Sequence, residues 1–241
     1  MDYFSPMSIL GEDTKQKGSI DRSRSNLLRD LEQPTLLFLC RVMPRFLTPD
    51  ILTAIGMLGT LLIFAAFYMA HSLNNKIYLL FAVLGFAINW FGDSLDGRIA
   101  YYRNIPRKWY GFALDCVMDW ISLVFMSAGF FLYIEPDFQI YVFLFACNYG
   151  WVVLMAQLKY KITDKYSIDP GPIGPTEVRI LLCLVIIAEW YFGNVLIYFS
   201  TIGNIVFLII NLVDTYKLLQ FGNARDAEEK RLKAEAQSKN A

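Results

Sequence analysis

The stretch that decides the fold is Ile77–Asp96, which reads IYLLFAVLGFAINWFGDSLD. It is almost entirely apolar until it ends in two aspartates, Asp93 and Asp96. A helix of about 20 apolar residues crosses the ~30 Å hydrocarbon core of a bilayer. Acidic side chains in or beside a span are costly, so they are candidates for function. The stretch therefore predicts a transmembrane helix with a functional site at its end.

The rest of the chain repeats this apolar pattern. Of its 241 residues, 56% are hydrophobic and only 18% are charged, which is typical of a membrane protein. The formal net charge of zero gives no general attraction to nucleic acid. We expect an all-α integral membrane protein with six transmembrane helices. The other five predicted spans are Ile51–Ala70, Phe112–Ile134, Ile140–Leu158, Val178–Phe199 and Ile202–Gln220.

Two segments lie outside the predicted spans. The apolar piece Thr35–Val42 is too short to cross a bilayer and carries Arg41, so it predicts an amphipathic helix lying in the interface. The C-terminal tail is rich in Ala, Glu, Lys and Arg and can form a solvated helix. We therefore divide the chain into a cytosolic N-terminal segment (1–46), a six-helix membrane domain (47–222) and a charged cytosolic tail (223–241).

The charges of the loops predict the orientation. Cytosolic loops of membrane proteins carry an excess of Lys and Arg. Basic and nearly uncharged joints alternate along the chain, and the joint after the first span has Lys76 alone. Both termini and the joint after the second span are thus expected in the cytosol. That joint contains Arg98, Arg103, Arg107 and Lys108.

Four aspartates flank this basic joint. Asp93 and Asp96 are i,i+3 neighbours, and Asp115 and Asp119 are i,i+4 neighbours, so each pair shares one helix face. Because the joint is short, we expect the second and third spans to be antiparallel neighbours whose acidic faces converge. Crowded carboxylates require cations, and oxygen ligands suit Mg²⁺, Mn²⁺ or Ca²⁺. The pattern predicts a site of the two-metal kind used in phosphoryl chemistry. The alternative is ordinary salt bridges with the basic residues of the joint.

Small residues accompany the acids. Gly97, Ala100 and Gly111 leave room for the close approach of a nucleotide or a diphosphate.

The motif Asp93-x2-Asp96-Gly97-x2-Ala100, followed by Gly111-x3-Asp115-x3-Asp119, resembles the signature of the CDP-alcohol phosphotransferases. Six spans are also that family's topology. The resemblance implies that a CDP-linked alcohol donates a substituted phosphate to a hydroxyl acceptor beside membrane lipid, with release of CMP. It implies Asp93, Asp96 and Asp115 as ligands of Mg²⁺ or Mn²⁺, with two ions, and a homodimer. Asp119 would be a further ligand and the general base.

The chain departs from the family signature at one position. The family has an arginine directly after the alanine, whereas this chain has Tyr101. Arg98 and Arg103 are near enough in sequence to supply a positive charge, and we expect them to contact the nucleotide or diphosphate. The segment Pro49-Asp50-Ile51-Leu52-Thr53 resembles the Pro-Asn-x-x-Thr segment found across the family.

A second polar region precedes the fifth span. The turn-rich loop Asp169–Arg179 offers Thr176, Glu177 and Arg179 as contacts for the acceptor. Alternatively, Thr176 and Glu177 simply begin a helix, with Glu at its positive end. Lys159 either binds an anionic substrate or anchors the fourth span at the phosphate layer.

Several functions fit these features. CDP-diacylglycerol donating to a small polar alcohol is favoured, and a small donor of the CDP-choline or CDP-ethanolamine type acting on a lipid hydroxyl is the alternative. A membrane metal carrier would also keep acids near a membrane cavity, but it would place them at the midplane beside broken helices. Tyr101 also leaves open a catalytically inactive relative.

Overall fold

The computed structural model describes residues 28–163 and 174–239. All regular structure in these two ranges is helical, which confirms the predicted all-α fold. Short 3₁₀ helices, Lys76–Tyr78 and Pro136–Phe138, precede α3 and α5. The α-helices are α1 (Arg29–Val42), α2 (Pro49–Ser72), α3 (Leu79–Tyr102), α4 (Lys108–Tyr133), α5 (Gln139–Thr163), α6 (Pro175–Phe192) and α7 (Val195–Lys239).

Five helices in the described part of the chain, α2 to α5 and α7, are long and apolar enough to cross a membrane. Helix α6 has 18 residues and is not among them. It nevertheless runs along the bundle, because Arg179 near its start pairs with Asp93 on α3. Near its end, the Glu189 carboxylate lies 3.6 Å from the amine of Lys76, in the 3₁₀ helix that precedes α3. The chain is an integral membrane protein, and the sixth span remains a prediction.

Helices α2 and α3 pack with their backbones in direct contact. A Cβ atom built on Gly92 of α3 would lie 2.4 Å from both the Gly56 nitrogen and the Leu52 oxygen of α2. A Cβ on Gly59 of α2 would lie 2.4 Å from the Asn89 nitrogen of α3. Small residues permit such close approaches between membrane helices. The contact brings the start of α2 beside the acidic end of α3.

The predicted neighbour relation between the second and third spans is wrong. Helices α3 and α4 pack mainly against α2 rather than against each other. Gly129 lets α4 approach α2 closely, since a Cβ there would lie 3.0 Å from the Phe64 Cα. The acidic faces of α3 and α4 therefore converge across a cavity beside α2.

The predicted joint between the fifth and sixth spans, at residues 199–202, is also wrong. The chain turns at Gly193 (φ 76°) and Asn194 (φ 61°), both in the left-handed region. The Glu189 carboxylate stabilises this turn by accepting hydrogen bonds from the Asn194 nitrogen (3.2 Å) and the Leu196 nitrogen (3.0 Å). Helix α7 then continues unbroken past residue 222 to Lys239. The boundary of the tail at residue 223 is therefore not a break in the helix.

Helix α1 is amphipathic, as predicted, but it begins at Arg29 and is longer than Thr35–Val42. Leu36 and Cys40 are buried against α2 and α3, whereas Leu31 and Phe38 are largely exposed. Burial raises the pKa of the Cys40 thiol, and the charges of Arg98 and Arg103 oppose that shift. Both arginines therefore lie close to α1.

We expect Gly92→Ala to destabilise the protein by about 2–4 kcal/mol, because the added methyl group meets the backbone of α2 and cannot be relieved by a rotamer change. This loss outweighs the ~1 kcal/mol that Ala gains over Gly in a helix interior. The thermal midpoint of the purified protein in detergent measures the effect.

Gly222→Ala is the matched control, since a Cβ there would meet nothing within 4 Å. It should leave the midpoint unchanged or raise it slightly. Equal midpoints for the two variants would contradict the backbone contact.

Candidate active site

Three carboxylates converge between the end of α3 and the start of α4. Asp93, Asp115 and Asp119 each offer an oxygen, and these oxygens all lie within 4.8 Å of one another. Asp93 and Asp115 are half-buried, and Asp119 is exposed. The three side chains line one open cavity. We call these three residues the carboxylate cluster.

Asp96 lines the same cavity but stands apart from the carboxylate cluster. Its Oδ2 accepts a hydrogen bond from the Thr53 hydroxyl on α2 at 2.6 Å. Its Oδ1 accepts one from the Gly97 nitrogen at 2.5 Å. The structure thus places all four predicted ligands at one cavity, with Asp96 held by two donors of its own.

Arg179 forms an ion pair with one member of the carboxylate cluster. Its Nη2 lies 2.5 Å from the Asp93 Oδ2, and the two side chains are only 18% and 27% exposed. Arg179, predicted as an acceptor contact, is therefore positioned against a predicted metal ligand.

The donor set of the cluster fits a hard divalent cation. The three grouped side chains are all aspartates, so they supply carboxylate oxygens and no nitrogen or sulfur. Such ligands favour Mg²⁺, Mn²⁺ or Ca²⁺ over zinc or copper. Carboxylates this close also repel one another unless a cation compensates them. Asp93, Asp115 and Asp119 are thus able to hold such an ion, with Asp96 beside them.

A polar network lies beneath the carboxylates, deeper in the bundle. The Asn89 Nδ2 donates to the Thr60 Oγ1 at 3.2 Å, and the Thr60 hydroxyl donates to the Ser122 Oγ at 3.0 Å. The network joins α3, α2 and α4, the helices that surround the cavity. Thr60 is fully buried, so the network supports the packing of these helices beneath the site. Asn89 and Ser122 were not predicted there, although each lies one helical turn from an acidic pair.

The predicted nucleotide-binding residues divide into two groups. Gly97 and Gly111 face open space, since a Cβ on either would meet nothing within 4 Å. Ala100 is buried. Arg103, by contrast, donates hydrogen bonds to backbone oxygens of the connection between α1 and α2, including Leu47 (2.6 Å) and Pro44 (2.8 Å). The glycines leave space for a ligand, whereas Arg103 holds a loop.

The other basic residues of this region also have protein partners. The Arg98 Nη1 donates to the Ser94 oxygen at 3.0 Å. Arg107 pairs with Asp50 at the start of α2, and this hydrogen bond raises the pKa of the Arg107 guanidinium. Tyr101, which stands where the family has arginine, is 49% exposed. A contact of Arg98 or Arg103 with diphosphate stays a prediction.

The predicted acceptor residues Thr176 and Glu177 contact α1 and the start of their own helix. Glu177 accepts hydrogen bonds from the Leu28 nitrogen (2.9 Å) and the Gly174 nitrogen (3.0 Å). Thr176 donates to the Glu32 carboxylate at 2.9 Å. These contacts favour the interpretation that the two residues begin α6, and they tie α1 to it.

The remaining parts of the predicted acceptor site are less constrained. Lys159 is half-buried near the end of α5, and its role stays a prediction. Residues 164–173, including Asp169, lie outside the described residues.

Comparisons with known proteins identify a family and a similar fold. The sequence profile of the family described as CDP-alcohol phosphatidyltransferase matches residues 46–213. A crystal structure of Mycobacterium tuberculosis phosphatidylinositol phosphate synthase with CDP-DAG bound is similar, with a TM-score of 0.55 and 20% sequence identity. The similarity covers 77% of this chain and 92% of that chain, and at this identity it shows a shared fold. A comparison with curated proteins gave no match.

We expect Arg179→Leu to lower the thermal midpoint in EDTA by about 5 °C or more, because Asp93 loses the partner of a largely buried ion pair. Saturating Mg²⁺ should then raise the midpoint of the variant more than that of the wild type. The reason is that the divalent ion supplies the missing positive charge and binds only the folded state.

Arg231→Leu is the control for this experiment. Arg231 pairs with Glu235 on the surface of α7, where both side chains are more than half exposed. Its loss should change neither the midpoint nor the response to Mg²⁺. An equal Mg²⁺ response of the Arg179 variant and the wild type would contradict the electrostatic role of Arg179.

Proposed function

This chain belongs to the CDP-alcohol phosphatidyltransferase family, and we propose that it transfers a phosphatidyl group from CDP-diacylglycerol to a small polar alcohol. The observation that carries the proposal is the carboxylate cluster, three aspartates within 4.8 Å of one another on an open cavity. Membership in the family makes the chain a membrane phosphotransferase that acts on a CDP-alcohol. The donor, the acceptor and the metal are the proposed parts.

The proposed metal is Mg²⁺ or Mn²⁺, bound as two ions by Asp93, Asp115 and Asp119 together with Asp96. When bound, such ions neutralise the diphosphate and polarise the phosphorus that is attacked. The guanidinium of Arg179 contacts Asp93 at 2.5 Å, and three carboxylates within 4.8 Å of one another repel unless cations compensate them.

Asp119 is the proposed general base. It is the exposed member of the cluster, so an acceptor hydroxyl can reach its carboxylate from the cavity. The acceptor oxygen forms a bond to the phosphorus that carries the lipid alcohol, and its proton passes to Asp119. The bond between that phosphorus and the bridging oxygen breaks, and CMP leaves with the electron pair.

The diphosphate would lie beside Gly97 and Gly111. Both positions border open space, so neither adds a side chain that would block a phosphate group. CDP-DAG in the similar mycobacterial structure supports CDP-diacylglycerol as the donor. A small donor of the CDP-choline or CDP-ethanolamine type is tested in the same experiment.

The proposed orientation puts the cavity on the cytosolic side. The start of α2, the end of α3 and the start of α4 meet at one end of the bundle, and the basic residues of the α3–α4 connection lie there too. The excess of basic residues in cytosolic loops supports this orientation. A homodimer in the membrane is also part of the proposal.

We expect purified wild-type protein in nanodiscs to release CMP from CDP-diacylglycerol in the presence of Mg²⁺ and a suitable alcohol from a panel. Asp119→Asn should reduce the rate about 10²–10⁴-fold, because it removes the base and a charge of the cluster. Chromatographic measurement of CMP gives the rate, and EDTA should abolish it.

Asp137→Asn is the matched control, since Asp137 lies in the 3₁₀ helix before α5, at the opposite end of the bundle. Its rate should equal that of the wild type. Release of CMP from CDP-choline or CDP-ethanolamine with diacylglycerol, and none from CDP-diacylglycerol, would replace the proposed donor. No release from any donor with any acceptor would refute the activity.

A further inference from the structure

We propose that Thr53 is a positioning residue, whose hydroxyl orients Asp96 for a divalent cation at the carboxylate cluster; this inference rests on the proposed function, because it concerns the same site. Thr53 lies on α2, whereas the four aspartates lie on α3 and α4. Its Oγ1 is 2.6 Å from the Asp96 Oδ2. That distance is typical of a charge-assisted hydrogen bond between a hydroxyl and a carboxylate.

The Thr53 hydroxyl has one proton and two acceptors within reach. The Pro49 oxygen, one turn earlier on α2, is 3.2 Å away, and the carboxylate is 2.6 Å away. The shorter and charged contact is the stronger one, so the proton points to Asp96. Branching at Cβ restricts the χ1 of Thr53 in a helix, and the observed rotamer places the hydroxyl within reach of both acceptors.

The two donors leave Asp96 free to bind a cation. One of its oxygens accepts from Thr53 and the other accepts from the Gly97 nitrogen at 2.5 Å. A carboxylate has about four acceptor sites, so each oxygen retains one for the cavity that Asp96 lines. The two hydrogen bonds thereby fix the orientation of the carboxylate and leave acceptor sites available for a cation.

The backbone contact between α2 and α3 determines that these two side chains meet. Gly56 lies one turn after Thr53, Gly92 lies one turn before Asp96, and a Cβ on Gly92 would be 2.4 Å from the Gly56 nitrogen. The two helices are antiparallel, so one turn back along α2 lies opposite one turn forward along α3. Thr53 therefore lies beside Asp96. The hydrogen bond therefore rests on the most closely packed part of the bundle.

Each acid of α3 is consequently held by a different helix. Asp96 is held by Thr53 of α2, and Asp93 is held by Arg179 of α6. Residues that orient metal ligands in this way typically contribute 10–100-fold to metal affinity. Thr53 should make a contribution of this size even though it does not bind the ion itself.

The test measures binding of Mn²⁺ alone to full-length protein in nanodiscs, by the electron paramagnetic resonance signal of free Mn²⁺. Thr53→Val keeps the shape of the side chain and removes the hydroxyl, so the dissociation constant should rise about 10–100-fold. Thr53→Ser restores the hydroxyl and should bind Mn²⁺ within about threefold of the wild type.

Thr60→Val is the matched control for a purely structural effect. Thr60 lies two turns further along α2, is fully buried, and contacts Ser122 and Asn89 instead of a carboxylate. This variant should lower the thermal midpoint and leave the Mn²⁺ dissociation constant within about threefold of the wild type.

Three outcomes would overturn the inference: unchanged Mn²⁺ affinity of Thr53→Val, equal losses of affinity in the Thr53 and Thr60 variants, or no Mn²⁺ binding by the wild type. The readout is independent of catalysis. If the wild type releases no CMP from any donor, the proposed function is refuted. A selective loss of Mn²⁺ binding in Thr53→Val would still support the role of Thr53. If CMP is released, Thr53→Val should need more Mn²⁺ for half-maximal rate.

Discussion

The contact between the backbones of α2 and α3 is the constraint on which the site depends. In a bilayer the lipid is as apolar as the helices, so packing and interhelical hydrogen bonds hold helices together. Gly92 and Gly56 remove the side chains that would otherwise separate the two backbones. The same contact sets the register of the helices, and the register determines which side chains of α2 meet the acids of α3. A shift by one residue would turn Thr53 away from Asp96.

The repulsion between the carboxylates is the second constraint on the site. Three carboxylates within 4.8 Å of one another repel, and a site at the edge of a bilayer offers less water than the surface of a soluble protein. Arg179 compensates part of this charge from α6, although α6 comes last but one in the chain. The protein therefore keeps a locally unfavourable cluster that the rest of the fold holds in place, as is typical of functional sites.

Much of this arrangement follows from local sequence. Long apolar runs predicted the membrane helices, and the spacing of Asp93, Asp96, Asp115 and Asp119 predicted their convergence. The turn at Gly193 and Asn194 was not predicted, although both are turn-forming residues, because the residues on either side are as apolar as those of a continuous span. The partners of the acids were not predicted either. Thr53 and Arg179 lie 43 and 86 residues from the aspartates that they contact, and no local periodicity encodes such pairs.

The placement of α2 between α3 and α4 also explains why basic residues close to the acids in sequence have other partners in the structure. Arg103 and Arg107 lie between the two acidic pairs in sequence, yet they contact the α1–α2 connection and Asp50. Because both bind the start of α2 or the loop before it, the arginine that contacts Asp93 comes from α6 instead. Gly97 directly follows Asp96 and Gly111 lies one turn before Asp115, and both border open space, so neither position adds a side chain beside these acids.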